Sequence, residues 1–377
     1  MTIKMQLSNT NLQAFLDLVK AGLWEKECLI KPLGDVDYNE IYRFSQEQSV
    51  DGLVAAGLEL VSNMRVPQNV ALTYAGVALQ LENRNKAMNL FIAELTTKLR
   101  KEGVYFLLVK GQGVAQCYER PLWRACGDVD LLLDRDNYKK AKEILTSVAS
   151  HVDEEDDRRL HLALTINTWI VELHGTLDGE WSKKVDMVVA NIQKESLDKK
   201  EVREWKNGNV EVALPAIDDD VLFVFTHILQ HFFRGGIGLR QICDWCRLLW
   251  TYRDSLDVQL LEARLRKSGL MSEWKTFAAL AVEYLGLPQE SIPFYSERGI
   301  HKKKASKVLD YVMEKGNLGH NSDESFRKDK SRFFIKLISF IRNTRNAIKV
   351  GLIFPMDSLK AWWNMTGLSF VAVVKGK

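Results

Sequence analysis

The sequence predicts an α+β protein in which a core with a mixed sheet is held between two helical regions. Three observations predict it. Apolar residues recur at helical spacing up to about residue 100, short β-prone runs with two hairpin signals fill residues 104–215, and helical spacing returns after Pro215. The chain divides accordingly into an N-terminal helical region, 1–102, a core, 103–216, and a C-terminal helical region, 217–377.

In the first region, Ser8 or Asn9 is placed to cap a helix with the stripe Leu12, Phe15, Leu16 and Val19, ending near Gly22. A second helix is expected over 37–61. Pro67 opens a third that runs to Arg100 and stops at Gly103, with apolar positions Leu72, Ala75, Leu79, Leu81, Met88, Phe91, Ile92 and Leu95. In the core, residues 104–109 are an unbroken apolar run, as in a buried strand. Gly111 and Gly113 break it, a short helix follows over 114–118, and a second strand covers 129–133. Asp134 or Asp136 caps a helix over 137–149. Runs 162–166 and 169–174, separated by Asn167 and Thr168, read as a hairpin. A helix is expected near 183–189. Asn207-Gly208 between β-prone runs marks a second hairpin, because both residues accept the positive φ of a tight turn. Asp218, Asp219 and Asp220 then cap the first helix of the last region, which is interrupted at Gly235-Gly236, Gly269, 286–288 and 317–319.

Composition excludes some partners. The 377 residues carry 52 basic and 49 acidic side chains, a net charge of +3, so charge indicates no nucleic-acid partner. Five scattered cysteines, Cys28, Cys117, Cys126, Cys243 and Cys246, make no disulfide framework and point to a cytoplasmic protein. The N-terminus lacks a signal-peptide layout, and no uncharged apolar run reaches the roughly 18 residues that span a bilayer. Residues 331–342 are strongly apolar, with Arg332, Lys336 and Arg342 among them. Docking on the protein's own core is expected there rather than a membrane surface, since Asp323, Glu324 and Asp329 would oppose anionic lipid.

The chemistry centres on Gly127-Asp128-Val129-Asp130-Leu131-Leu132-Leu133. In a strand, residues i and i+2 share a face, so Asp128 and Asp130 project together. Two adjacent carboxylates raise each other's pKa, and a divalent cation removes the conflict. Hard oxygen ligands select Mg²⁺ (or Mn²⁺). By the same logic Asp130→Asn should fold at least as well as the parent without metal. Gly111 and Gly113 let backbone N–H groups approach phosphate, or form a plain strand-to-helix turn. Lys110 meets a phosphate or pairs with an aspartate. Arg124 clamps a triphosphate or lies on a surface loop. His227 and His231, four apart on a helix, lack a third zinc ligand and line a cleft or pack. Cys243 and Cys246 read as core thiols. Arg240 and Asp244, also four apart, read as a helix pair.

The strand, glycine turn, short helix and Asp-x-Asp strand resemble nucleotidyltransferases of the DNA polymerase β type. Within them the chain most resembles the bacterial uncharacterised nucleotidyltransferase family. The resemblance rests on Lys110-Gly111, Tyr118, Arg124, Asp128-Val129-Asp130-Leu131-Leu132 and Glu172-Leu173-His174, and more loosely on His227, His231, Arg240 and Asp244. It covers roughly residues 100 to 250 and implies a polymerase β-like nucleotidyltransferase core. Such a site needs three carboxylates. Glu172, a lone acid on the apolar run 169–174, is the candidate for the third, and the resemblance implies the same position. Catalysis and metal binding then fall to Asp128, Asp130 and Glu172. Nucleotide contacts fall to Lys110, Gly111, Gln112, Gly113, Arg124, His174 and Arg240. His174 shares the Glu172 face, as a phosphate or acceptor contact or as a packed histidine. The implied substrates are an NTP, ATP by preference, and an acceptor left open among small molecules, sugar phosphates, protein side chains and RNA. The chain departs from the wider superfamily in having Gly111-Gln112 where Gly-Ser or Gly-Gly is usual. That departure favours the alternative, a catalytically silent nucleotide-binding or protein-interaction module on the same fold.

Overall fold

The structure, a computed structural model, describes residues 10–30, 36–63, 65–317 and 332–374, with backbone alone for 332–337 and 365–374. Ser8 and Asn9, residues 318–319 and the acids Asp323, Glu324 and Asp329 lie outside the described residues. Four helices come first: α1 (Thr10–Trp24), α2 (Tyr38–Gln48), α3 (Asp51–Glu59) and α4 (Gln68–Lys101). The expected helix over 37–61 is thus two. Ser49 takes a left-handed φ of 54° and ends α2, and Asp51 at the start of α3 accepts from Ser45 Oγ at 2.9 Å.

The α1–α3 crossing depends on glycine. A Cβ on Gly57 would sit 2.1 Å from Leu18 O, and one on Gly22 would sit 1.9 Å from Leu53 O. The two backbones therefore touch directly. The long helix α4 runs almost as expected, but its buried stripe is Tyr74, Ala78, Asn85, Met88, Phe91, Ile92, Leu95 and Leu99. Leu72 and Leu79 are exposed at 65% and 59%, because the first half of α4 is covered on one side only.

The core follows. Its elements are β1 (Leu107–Val109), α5 (Gly111–Ala115), a 3₁₀ turn (Pro121–Trp123), β2 (Asp128–Leu132), α6 (Arg135–Thr146), β3 (His151–Val152), β4 (His161–Ile166), β5 (Trp169–His174), α7 (Lys183–Lys199), β6 (Val202–Asn207) and β7 (Val210–Pro215). Asp134 caps α6 by accepting from the N–H groups of Asp136 and Asn137. Strands β1-β2-β5-β4-β3 form one mixed sheet, in which β2 and β5 run parallel and the other pairs antiparallel. The hairpin marked by Asn207-Gly208 is β6–β7. Alternation along the strands decides which residues face which core. Leu108, Val129, Leu131, Val171 and Leu173 pack with the second half of α4, with α6 and with the β6–β7 hairpin. Leu107, Val109 and Leu132 face the opposite way, into a core shared with the N-terminal and C-terminal helices.

The C-terminal helices are α8 (Ile217–Arg234), α9 (Leu239–Tyr252), α10 (Val258–Ser268), α11 (Met271–Leu285), α12 (Gly299–Lys315), α13 (Arg332–Gly351) and α14 (Pro355–Val374). Asp218, Asp219 and Asp220 do not cap α8, which starts one residue earlier behind Ala216. They tie it to its neighbours instead: Asp219 pairs with Arg264 at 2.8 Å, and Asp220 pairs with Arg203. The basic apolar segment belongs to α13. Its C-terminal end docks on the core through Val350 and the following Ile353 and Phe354, whereas Phe340 and Ile341 stay 47% and 42% exposed. No helix among the described residues is long and apolar enough to cross a membrane.

Candidate active site

Parallel pairing of β2 with β5 sets Asp130 beside Glu172 in register. Asp128, Asp130 and Glu172 share the sheet face that looks toward α8 and α9, and all three line one cleft of about 730 Å³. The turn between β1 and α5 closes one end. There Lys110 has φ 57° and ψ −145°, a region that costs a non-glycine residue of order 1–3 kcal/mol. Gly111 follows at φ 42°, with Asp128 O 3.5 Å from where a Cβ would be. From the helices come His227 and His231 of α8 and Arg240 and Asp244 of α9.

The carboxylates are in unlike states. Asp130 is 2% exposed and accepts from Lys110 Nζ at 2.8 Å and His174 Nε2 at 2.7 Å. Burial alone would push its carboxyl up, but Lys110 and the His174 hydrogen bond outweigh burial and hold it below the usual range. Burial likewise opposes ionisation of Glu172, and hydrogen bonds from His161 and His174 overcome it. His174 is the reciprocal case: burial would strip its proton, and hydrogen bonds to Asp130 and Glu172 raise its pKa instead. Lys110 also keeps its charge against burial, through Asp130 and Glu172. Asp128 carries the conflict. The charge of Asp130, followed by burial, holds its carboxyl above the usual range. His231 is pulled down to about 4 by burial and then by Lys110, and the same two causes hold His227 well below the usual imidazole range, so both imidazoles are neutral near pH 7.

The cationic wall has spare donors. Arg124 is 6% exposed, which removes the surface-loop reading. Its Nε and Nη2 donate to Asp244 at 3.0 and 2.6 Å, while its buried Nη1 has no hydrogen-bond partner among the described residues. Tyr118 OH donates at 2.8 Å to Asp244 Oδ1, the oxygen that Arg124 Nε also reaches. The expected Arg240–Asp244 pair therefore does not form, because Arg124 and Tyr118 already occupy that carboxylate. Arg240 donates Nη1 to Ala125 O at 3.0 Å, and its buried Nε is unpartnered. Burial, then repulsion from Arg124, lowers its pKa. A buried and a half-buried arginine, each with an unmatched N–H bond, line one cleft and suit an anion.

Of the residues singled out in the sequence, Lys110, Gly111, Arg124, Asp128, Asp130, Glu172 and Arg240 line this cleft. His174 lines an adjoining chamber of about 660 Å³ that shares Lys110, Glu172, His227 and His231 with it. Gln112 and Gly113 turn elsewhere. Gln112 Nε2 donates to Asn85 Oδ1 at 2.8 Å, and Asn85 Nδ2 donates to Leu122 O and Arg124 O at 2.7 and 2.8 Å. That network fixes the loop carrying Arg124. A Cβ on Gly113 would meet Leu214 Cδ2 at 2.8 Å, so this glycine serves packing against β7. The sequence reading missed His161, Arg159 and Gln230, all in the adjoining chamber. His161 had a signal: the hairpin that pairs Ile166 with Trp169 also pairs His161 with His174.

The residues fit a divalent cation. Three carboxylates share a cleft, and one of them is kept from easy ionisation chiefly by its neighbour's charge. No curated protein matches the chain, and no solved structure does. A family model described as uncharacterised nucleotidyltransferase matches residues 34–286, which takes in the whole core, α8 and α9, and the chain belongs to that family.

Proposed function

We propose that the protein is a divalent-metal-dependent nucleotidyltransferase that moves a nucleoside monophosphate from an NTP, ATP by preference, to an acceptor. One observation carries the reading: three carboxylates, Lys110, and two arginines with unmatched buried donors line the same cleft. The guanidinium groups of Arg124 and Arg240 bind triphosphate oxygens. Gly111, lacking a side chain, lets the backbone come close to them. Asp128, Asp130 and Glu172 hold Mg²⁺ or Mn²⁺. When bound, the metal activates the attacking oxygen and offsets charge on the leaving pyrophosphate. Tyr118 and Asp244 keep the Arg124 guanidinium in one orientation. The acceptor reaches Glu172 from the adjoining chamber, which that residue also lines. The five free, buried cysteines agree with a cytoplasmic setting.

A second reading is favoured by Lys110, whose amine occupies Asp130. In it the protein is a catalytically silent module on the same fold. Release of pyrophosphate from ATP with Mg²⁺ or Mn²⁺, followed across a panel of acceptors, separates the two. Transfer of the labelled α-phosphate to an acceptor supports the enzyme. Nucleotide binding with no release supports a silent nucleotide-binding module, and no nucleotide binding supports an interaction module.

A further inference from the structure

Glu172 has a second set of neighbours, His161 on β4, across β5 from β2, and His174 on its own strand. The antiparallel pairing of β4 with β5 puts His161 opposite His174, on the face that Glu172 also occupies. Glu172 Oε2 lies 3.3 Å from His161 Nε2 and 3.3 Å from His174 Nε2. Among the described residues this is the one trio of His, Cys, Asp or Glu whose ligand atoms all lie within 4.8 Å of one another. The carboxylate trio of the cleft is not so closely gathered.

Those separations discriminate between ions. A four-coordinate ion with N and O ligands at about 2.0–2.2 Å has ligand–ligand edges of roughly 3.3–3.6 Å, from tetrahedral geometry. An octahedral Mg²⁺ with ligands at about 2.0–2.1 Å has edges of roughly 2.9 Å. Both Glu172 edges match the first. Donor chemistry agrees, since imidazole suits zinc and the later transition metals, whereas Mg²⁺ takes oxygen. Three protein ligands with a fourth position open to a cavity is also the pattern of reactive rather than purely structural zinc sites. The chamber supplies that opening, and His161, with 31% of its side chain exposed, provides the way in.

We propose that His161, Glu172 and His174 form a binding site for one transition-metal ion of zinc type, with Glu172 Oε2 turned to this ion and its other oxygen left to the ion held with Asp128 and Asp130. The ion takes the place of the proton that His174 Nε2 now shares with Asp130 and Glu172, and Asp130 keeps Lys110 as its partner. Its open coordination position faces the chamber through which the acceptor is proposed to arrive. The ligand set itself does not depend on the nucleotide reading, so the site stands or falls separately.

The test uses the full chain stripped of metal with a chelator. Zn²⁺ is titrated calorimetrically, and Co²⁺ serves as the spectroscopic probe, its visible band reporting four-coordination. Wild type should bind one equivalent, and excess Mg²⁺ should not displace it. His161→Ala should weaken Zn²⁺ by more than the roughly 10–100-fold that a lost outer-shell partner costs. Asp128→Asn should leave it nearly unchanged. A thermal melt of metal-free His161→Ala checks folding, and Glu172→Gln provides a second ligand-removing variant. The proposal is overturned if wild type takes up neither Zn²⁺ nor Co²⁺. It is equally overturned if both ligand variants bind like wild type, or if Asp128→Asn weakens Zn²⁺ as much as His161→Ala. A separate titration of ATP with Mg²⁺ reports on the nucleotide reading, so failure of one is distinguishable from failure of the other.

Discussion

Asp130 and Glu172 are register partners across the parallel strands β2 and β5, and the same His174 Nε2 reaches both, at 2.7 and 3.3 Å. The pair keeps one buried and one half-buried negative charge side by side because Lys110 and His174 are positioned against them. That arrangement decides which carboxylate can be removed without harm.

Asp130→Asn should destabilise the protein by about 3 kcal/mol, because it leaves Lys110 and His174 in the interior without their anion. Asp128→Asn should fold as well as wild type or slightly better, since its own carboxyl is opposed first by the charge of Asp130. Urea unfolding of both variants without metal checks this. Equal stabilities would refute the assignment. The sequence expectation that Asp130→Asn relieves repulsion named the wrong member of the pair, because the partners that stabilise Asp130 come from outside its strand.

Arg240→Gln should separate binding from stability. Arg240 is half-buried and repelled by Arg124, so its removal should leave the melting temperature unchanged or raised. Nucleotide affinity should fall about 10–100-fold, the worth of a lost charge-assisted hydrogen bond of about 1.5–3 kcal/mol. A variant that melts lower and binds nucleotide normally would assign Arg240 to structure alone.

Glu273 gives a pH signature far from the cleft. It lies on α11, buried at 2% exposure, and burial, then Asp357 of α14, raises its pKa to about 8. A folded-state value above the unfolded one means that the native protein holds a proton which the unfolded chain releases. The resulting loss of stability is absent below about pH 4.5, grows as pH rises toward 8, and is complete above it. Glu273→Gln should flatten that part of the stability profile and stabilise the protein at pH 8. Parallel wild-type and variant profiles over this range would rule out the group.

Gly57→Ala should cost about 1–3 kcal/mol through overpacking, because its Cβ would fall 2.1 Å from Leu18 O and force α1 off α3. Thermal melts are sufficient, and a variant as stable as wild type would show that the crossing is looser than described.

Much of the core was legible because its signals are local. Asn207-Gly208 fixes the β6–β7 hairpin, and alternation along β2 alone sets Asp128 and Asp130 on one face. What was not legible depends on distant chain. Arg124 is held by Asp244, 120 residues away, so nothing near Arg124 in sequence marks it as buried. Gln112 follows Gly111 in the turn, yet its side chain turns to Asn85 of α4. Leu72 and Leu79 fit a helical stripe but lie where nothing among the described residues covers α4. His161 falls between these cases, since its facing of His174 follows from the hairpin register.

In the proposed function the carboxylates, Lys110 and the two arginines form a metal-dependent nucleotide site. Calorimetric titration of the metal-free protein with a non-hydrolysable ATP analogue, with and without Mg²⁺, tests it most directly when wild type and Asp128→Asn are run side by side. The account predicts one site per chain, binding that requires Mg²⁺, and loss of that binding in Asp128→Asn with the fold intact. Binding that ignores Mg²⁺, or that survives Asp128→Asn unchanged, would contradict it.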